Sequence, residues 1–257
     1  NGAQMADVRA MAVMKSVGVH VASDALAISN MAGTRAGAVV VMGDDPWTDS
    51  TQVPADSRYI AQHLYMPVLA PSTFQEIKDW IAVAFTLSSR SRLFMGYLVT
   101  APQADGGGTV RVHPNIEPTV SAKHRVTLDT SEIVGRDRIL LAPDTGRIER
   151  EVLEQRFPRL HAEARQAGID RVAPGRSTRL GFVASGLAYL FLEHALHILG
   201  LSGEFPILKL GLVYPADPET IVSFARSVEQ VVVVEEKRAF LENQVRSAVT
   251  GAFQRKS

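Results

Sequence analysis

Short apolar runs alternate with amphipathic stretches along most of the chain, and this alternation predicts an α/β protein. Residues 38–42 (Ala-Val-Val-Val-Met) lie between Gly37 and Gly43, a pattern typical of a buried strand. Similar runs predict further strands, at 66–70, 93–99, 180–185, 205–210 and 231–234. The segments between them predict helices, at 58–64, from Ser72 onwards, at 186–200, 218–227 and 239–253. Residues 3–14 predict the end of a helix that runs into a strand.

Local residue signals mark several boundaries between these elements. Ser72 and, three residues later, Gln75 form a capping-box pattern. Asp217 before Pro218 predicts an N-cap and a first-turn proline. Pro158 should kink or split the helix around it. Residues 15–18 predict a turn, and the polar residues 168–179 predict a linker.

The pattern fails between residues 100 and 124, so this stretch is the best candidate for a domain boundary. After residue 179 the elements follow the order βαβαβα. Because crossovers between parallel strands are right-handed, this order predicts a small parallel sheet covered by helices. The length of 257 residues is compatible with one large or two modest domains.

Composition and charge exclude several classes of protein. The 27 basic residues balance the 27 acidic ones, and a nucleic-acid-binding protein usually has a basic excess. The absence of cysteine excludes disulfides, thiolate zinc sites, a cysteine nucleophile and cysteine-bound iron–sulfur clusters within this sequence. No apolar run reaches the roughly 18 residues that a membrane span requires, and no signal peptide is recognisable. We therefore expect a cytoplasmic protein.

The acidic loop that follows residues 38–42 is the first candidate functional segment. Ligands of open α/β sheets bind at the carboxyl ends of strands, which is where Asp44 and Asp45 fall. Their carboxylates could bind Mg²⁺ or accept hydrogen bonds from a ligand amine. The alternative is that they cap turns, a common role of aspartate. Further candidates lie in or just after the same loop, at Ser50, Gln52 and Arg58.

Other candidates lie at three further places. Lys15 and His20 flank a glycine and could present a general acid or base at a cleft, although a structural histidine is the alternative. Residues 235–238 (Glu-Glu-Lys-Arg) follow the last predicted strand and could contact a ligand or serve as helix-terminal charge. His194 and His197 have no acidic partner close in sequence, so we expect a packing or surface role and no metal site.

Eight segments together resemble the large subunits of the indolepyruvate-type 2-oxoacid:ferredoxin oxidoreductases. They occur in that family's order, at 14–24, 39–46, 56–59, 67–72, 180–186, 209–215, 233–236 and 240–244. The resemblance implies two parallel-sheet α/β domains: a pyrimidine-binding-like domain at 1–102, without its N-terminal part, and a transketolase C-terminal-like domain at 179–257. Residues 103–178 would connect them.

The resemblance also implies a thiamine-diphosphate-dependent oxidative decarboxylation of an aryl or branched 2-oxoacid to an acyl-CoA. It implies Mg²⁺, iron–sulfur clusters, ferredoxin, CoA, further domains or subunits and a homodimer. Arg58 would then pair with the carboxylate of the 2-oxoacid. The family's activating glutamate, its Gly-Asp-Gly diphosphate motif and its cluster cysteines do not occur in this sequence, so this chain alone should be inactive. Two alternatives are a non-catalytic scaffold of the same fold and another thiamine-diphosphate enzyme.

Overall fold

The computed structural model describes residues 2–49, 51–114 and 140–254 and contains two mainly parallel sheets. The strands are β1 (Ala10–Lys15), β2 (Ala38–Asp44), β3 (Val68–Leu69), β4 (Met95–Thr100), β5 (Arg171–Ala173), β6 (Leu180–Ser185), β7 (Ile207–Leu210), β8 (Leu212–Tyr214) and β9 (Gln230–Val234). The helices are α1 (Gly2–Met5), α2 (Ser16–Ala32), α3 (Ser57–His63), α4 (Phe74–Ser91), α5 (Ala101–Asp105), α6 (Asp144–Glu151), α7 (Phe157–Ala167), α8 (Gly186–Ile198), α9 (Pro218–Ala225) and α10 (Phe240–Gln254). The predicted α/β class is confirmed.

The first sheet has the strand order β1-β2-β4-β3-β8. Its first four strands are parallel, as short apolar runs joined by helices predict, and β8 adds to β3 in the antiparallel direction. Its main core consists of apolar side chains from these strands, from α2 and α4, and from α7. The sheet is therefore completed by a strand from the second half of the chain.

The second sheet has the order β5-β7-β6-β9 and carries a separate apolar cluster on each face. Strands β7, β6 and β9 are parallel, which confirms the predicted parallel arrangement for these three. The predicted linker at 168–179 is wrong for Arg171–Ala173, which pair with β7 in the antiparallel direction. Only three residues form this edge strand, and they are too few to give a recognisable apolar alternation.

The chain crosses from the second sheet to the first at Gly211, between β7 and β8. A Cβ at this position would lie 2.7 Å from the Ile169 carbonyl oxygen and from the Trp80 ring, so the crossing requires glycine. The Asp170 carboxylate accepts hydrogen bonds from the N–H groups of Gly211 (2.7 Å) and Leu212 (3.0 Å). Asp170 therefore holds the backbone where it changes sheets.

Two predicted boundaries of helices need correction, and a third is confirmed. Residues 15–18 do not form a turn, because α2 begins at Ser16 directly after β1. The capping box of α4 uses Thr73 and Glu76, one residue later than predicted. The N-cap at Asp217 is confirmed, since its side chain accepts from the Glu219 N–H.

Pro158 splits its helix as predicted. A π-helical segment, Val152–Arg156, separates α6 from α7, and the proline occupies the first turn of α7. That position tolerates proline because the N–H groups of the first turn lack intrahelical partners. Among the described residues, no helix is both long and apolar enough to cross a membrane.

A buried ion pair joins the two sheets. Lys209 of β7 is 1% exposed, and its Nζ contacts Glu76 Oε1 (2.5 Å) and Oε2 (2.6 Å). The same Nζ lies 5.3 Å from the centre of the Trp80 ring and 4.9 Å from that of Tyr189. Burial alone would raise the pKa of Glu76, but the hydrogen bond from Lys209 and those from the backbone bring that pKa below its usual value. Glu76 is therefore ionised at neutral pH, and its contact with Lys209 opposes the lowering of the Lys209 pKa by burial.

Replacing Lys209 with Met should lower the free energy of unfolding by about 3 kcal/mol, because Glu76 would lose its buried cation and keep the exposed Arg171, whose Nη2 lies 3.1 Å from Glu76 Oε1. The double variant with Glu76→Gln should recover part of that loss. Lys78→Met is the matched control, since the Lys78 and Asp79 side chains are 32% and 39% exposed and their pair should contribute less than about 1 kcal/mol. Chemical denaturation of the parent and the three variants gives each free energy of unfolding. Equal losses for Lys209→Met and Lys78→Met would contradict a stabilising role of the buried pair.

Burial raises the pKa of Asp170 to about 6, and its Oδ2 has no hydrogen-bond partner among the described residues. Between about pH 4 and 6 the folded protein therefore binds a proton that the unfolded chain has released, so stability falls as the pH rises through this window. The Asp170→Asn variant has no titratable group at this position and therefore lacks this pH dependence. Its stability relative to the parent should rise by about 2–3 kcal/mol between pH 4 and pH 7. A constant difference in denaturation free energy across that range would refute this explanation.

Candidate functional site

A small cavity lies where the carboxyl ends of strands from both sheets meet. Asp44 ends β2, Thr100 ends β4, Ala70 and Pro71 follow β3, and Ser185 ends β6. This edge is where open α/β sheets bind ligands. The cavity has a volume of about 40 Å³, room for a few water molecules or one small polar group. Its remaining lining residues are Pro46, Asp56, Arg58, Leu98, Gln103, Gly186, Leu187, Ala188 and Glu236.

Asp44 is buried at the wall formed by the first sheet. Its carboxylate accepts hydrogen bonds from the N–H group (2.9 Å) and the hydroxyl of Ser57, the first residue of α3. Burial raises the pKa of Asp44, and the two hydrogen bonds from Ser57 partly offset that rise. The side chain therefore presents a carboxylate that is oriented by α3 but not neutralised by a direct ion pair among the described residues.

Arg58 is buried one residue further along α3 and is already paired. Its Nε and Nη2 bind both carboxylate oxygens of Asp56 at 2.8 and 2.7 Å. Its Nη1 lies 3.3 Å from Glu235 Oε2, and its Nη2 donates to the Glu236 carbonyl at 3.1 Å. The guanidinium thus connects the first sheet to the segment between β9 and α10.

A second set of contacts joins the same two segments at the mouth of the cavity. Trp47 Nε1 donates to Glu236 Oε1 at 2.6 Å, and Lys237 Nζ donates to the Pro46 carbonyl. The Lys237 ammonium also lies 5.3 Å from the centre of the Trp47 ring. We call these four residues the clasp. The Trp47 side chain remains 59% exposed, so its ring borders solvent beside the cavity.

The structure brings together only some of the predicted site residues. Asp44 and Arg58 line the cavity. Asp45 instead accepts the Asp49 N–H at 2.9 Å, which is the turn-capping alternative. Gln52 is exposed in the loop, and Ser50 lies outside the described residues.

Lys15 and His20 do not line the cavity. Lys15 is exposed at the end of β1, where its Cα pairs with that of Gly43. His20 is exposed on α2, and its carbonyl accepts the Ser23 hydroxyl. Their roles, like those of the other candidates, stay predictions.

Sequence reasoning missed several residues of this site. The acidic-loop pattern did not single out Asp56, yet its carboxylate holds Arg58. Gln103 donates to the Pro71 carbonyl at 2.8 Å and so fixes the wall after β3. Ser185 contributes from the other sheet. A strand that ends in Ser-Gly before a helix was the available signal for Ser185, whereas nothing local marks Gln103.

The described residues do not fit a Mg²⁺–diphosphate group. They contain no cluster of three or more His, Asp or Glu side chains that could hold a metal ion. The adjacent carboxylates of Asp44 and Asp45 are each engaged separately, by Ser57 and by the Asp49 N–H. His194 and His197 are both exposed on α8. No chemical step that depends on a metal is therefore assigned to these residues.

Solved structures share this fold. The chain superposes on 2-oxoglutarate:ferredoxin oxidoreductase from Magnetococcus marinus with a TM-score of 0.68 and 16% identity, covering 97% of this chain and 50% of that one. A split-gene transketolase, described as an inactive β4 tetramer, gives a TM-score of 0.52 at 12% identity, covering 95% and 63%. The two-sheet arrangement is thus the α/β fold of 2-oxoacid:ferredoxin oxidoreductases and transketolases.

Sequence similarity is more specific. Residues 170–257 match the indolepyruvate oxidoreductase domain. The chain is 32% identical over 244 residues to indolepyruvate oxidoreductase subunit IorA of Methanothermobacter marburgensis and 33% identical over 246 residues to that of Methanothermobacter thermautotrophicus. It is 31% identical to the Archaeoglobus fulgidus subunit. These matches cover 95–96% of the chain but 38% of each relative. The chain is thus related to part of the IorA subunits, as its eight resembling segments predicted.

Replacing Arg58 with Ala should lower the free energy of unfolding by about 3 kcal/mol or more, because Asp56 and Glu235 would stay buried without their cation. Arg58→Lys should recover only part of this loss, since lysine cannot bind Asp56 through two parallel hydrogen bonds. Arg90→Ala is the control, because Arg90 forms a largely exposed pair with Glu163. Denaturation curves that coincide for Arg58→Ala and Arg90→Ala would contradict a structural role of Arg58.

Proposed function

We propose that this chain is part of the large subunit of an indolepyruvate-type 2-oxoacid:ferredoxin oxidoreductase. The observation that carries the proposal is the collinear similarity to the IorA subunits over 95% of the chain. The cavity at the carboxyl ends of both sheets is consistent with it, since this is the edge at which such folds bind ligands.

The proposed reaction is the oxidative decarboxylation of an aryl or branched 2-oxoacid to the acyl-CoA, with electrons passed to ferredoxin. Bound thiamine diphosphate would supply the carbanion chemistry. The described residues offer no metal cluster and the sequence has no cysteine, so we assign the Mg²⁺–diphosphate site and the iron–sulfur clusters to other domains or subunits. This chain alone would be inactive. A homodimer and a cytoplasmic location belong to the same proposal.

The predicted residues of the substrate or cofactor cleft remain candidates within the proposal. They are Asp44, Arg58, Lys15, His20 and the loop residues Asp45, Ser50 and Gln52. The geometry ranks them. Asp44 already lines the cavity and has free acceptor capacity. Arg58 could bind a substrate carboxylate through both nitrogens only by releasing Asp56, because that carboxylate occupies its fork.

The test uses the full-length protein, purified with its partner subunit and supplied with thiamine diphosphate, Mg²⁺, CoA and methyl viologen as electron acceptor. Indolepyruvate, phenylpyruvate or 3-methyl-2-oxobutanoate should give dye reduction and a stoichiometric acyl-CoA, detected by mass spectrometry. 2-Oxoglutarate is the comparison substrate. Failure with every aryl and branched 2-oxoacid would refute the catalytic proposal.

The two alternatives give different outcomes in the same preparation. A non-catalytic scaffold would show no heat of binding when titrated with millimolar thiamine diphosphate and Mg²⁺. The observation that motivates this alternative is the absence of the diphosphate motif from this sequence. Another thiamine-diphosphate enzyme would bind the cofactor and consume a 2-oxoacid without reducing the dye.

A further inference from the structure

The N-terminus of α8 forms one wall of the cavity. Strand β6 enters this 13-residue helix through Gly186, whose φ of +52° turns the chain sharply. The N-cap, Ser185, makes no side-chain capping bond, and its hydroxyl has no hydrogen-bond partner among the described residues although Ser185 is only 7% exposed. Ser185 to Ala188 all line the cavity. Because the first N–H groups of a helix lack intrahelical partners, this wall favours a carboxylate.

The part of the lining that belongs to the first sheet favours a positive charge. Asp44 is 4% exposed, and its carboxylate is held only by the hydroxyl and N–H group of Ser57 among the described residues. Arg58, the one cationic side chain among the lining residues that the structure describes, is paired with Asp56 and Glu235. A buried carboxylate without a cation is costly, so a ligand ammonium or other donor group would stabilise it.

The other carboxylates around the cavity argue against a simple anion. Asp56 is neutralised by Arg58, whereas the Glu236 carboxylate at the mouth has only the Trp47 N–H as a side-chain partner among the described residues. Together with Asp44, Glu236 makes the cavity unfavourable for a free anion despite the helix N-terminus. A ligand that carries both charges, with its anionic end at α8, satisfies both walls.

We propose that this cavity binds the head group of an α-amino acid. The carboxylate lies at the N-terminus of α8 and on the Ser185 hydroxyl, and the ammonium faces Asp44. A volume of about 40 Å³ admits the head group only, so the side chain leaves through the mouth beside the exposed ring of Trp47. The site needs no thiamine diphosphate and stands whether or not the protein oxidises 2-oxoacids.

Calorimetric titration of the full-length protein, without cofactors, tests the proposal. The ligands are glycine, L-alanine and L-tryptophan, compared with acetate and methylamine, which each carry one half of the head group. The amino acids should bind roughly tenfold or more tightly than either half, because each charge adds a charge-assisted hydrogen bond. Acetate or methylamine binding as tightly as glycine, or no binding by any amino acid, would overturn it.

Variants then locate the site. Ser185→Ala and Asp44→Asn should each weaken glycine binding roughly tenfold, with near-parental circular dichroism and melting temperature for Ser185→Ala. Ser223→Ala, an exposed serine on α9, is the matched control and should bind as the parent does. If Asp44→Asn fails to fold, the glycine affinity of Ser185→Ala is the test of the proposed site. Unchanged glycine affinity in Ser185→Ala would refute the proposed site.

Discussion

The ion pair between Glu76 and Lys209 is the constraint on which the arrangement of the two sheets depends. Lys209 lies in the interior of the second sheet and is almost fully buried, and Glu76 lies in the first turn of α4 beside the first sheet. Removing such charges from water is expensive, and their attraction offsets that cost only when the geometry is good. The two sheets must therefore meet in the one orientation that lets Nζ reach both carboxylate oxygens.

The same glutamate also shapes the cavity. Its Oε2 accepts the Ser72 N–H at 2.8 Å, and this bond fixes the segment that follows β3. Ala70 in that segment donates its N–H to the Gly211 carbonyl, at the crossing between the sheets. The cavity wall opposite Gly186 is thus held from both sides, by a helix-capping side chain and by the crossover backbone.

The sequence predicted the regular elements well because they obey local rules. Apolar runs gave β2, β4, β6 and β9 within about two residues, and Asp217 marked the start of α9. Non-local features were missed. Strand β5 is too short to show alternation, and β8 was not predicted because its three residues follow β7 with only Gly211 between them. In the site, Asp44 was found because it directly follows a strand. The partnership of Asp56 with Arg58, and the free hydroxyl of Ser185, depend on which side chains face one another in space.

The crossover at Gly211 gives the molecule an unusual connectivity. After leaving the first sheet the chain forms β5, β6 and β7, returns for β8, and then goes back to the second sheet for β9. The polypeptide therefore passes between the two sheets more than once within the last third of its length. A cut at a single linker cannot separate the sheets into two intact halves, and a hinge rotation of one against the other would pull β8 from the edge of its sheet. The two sheets are therefore joined through the backbone of β8 as well as through the buried ion pair, and a movement of one sheet against the other would have to break the pairing of β3 with β8.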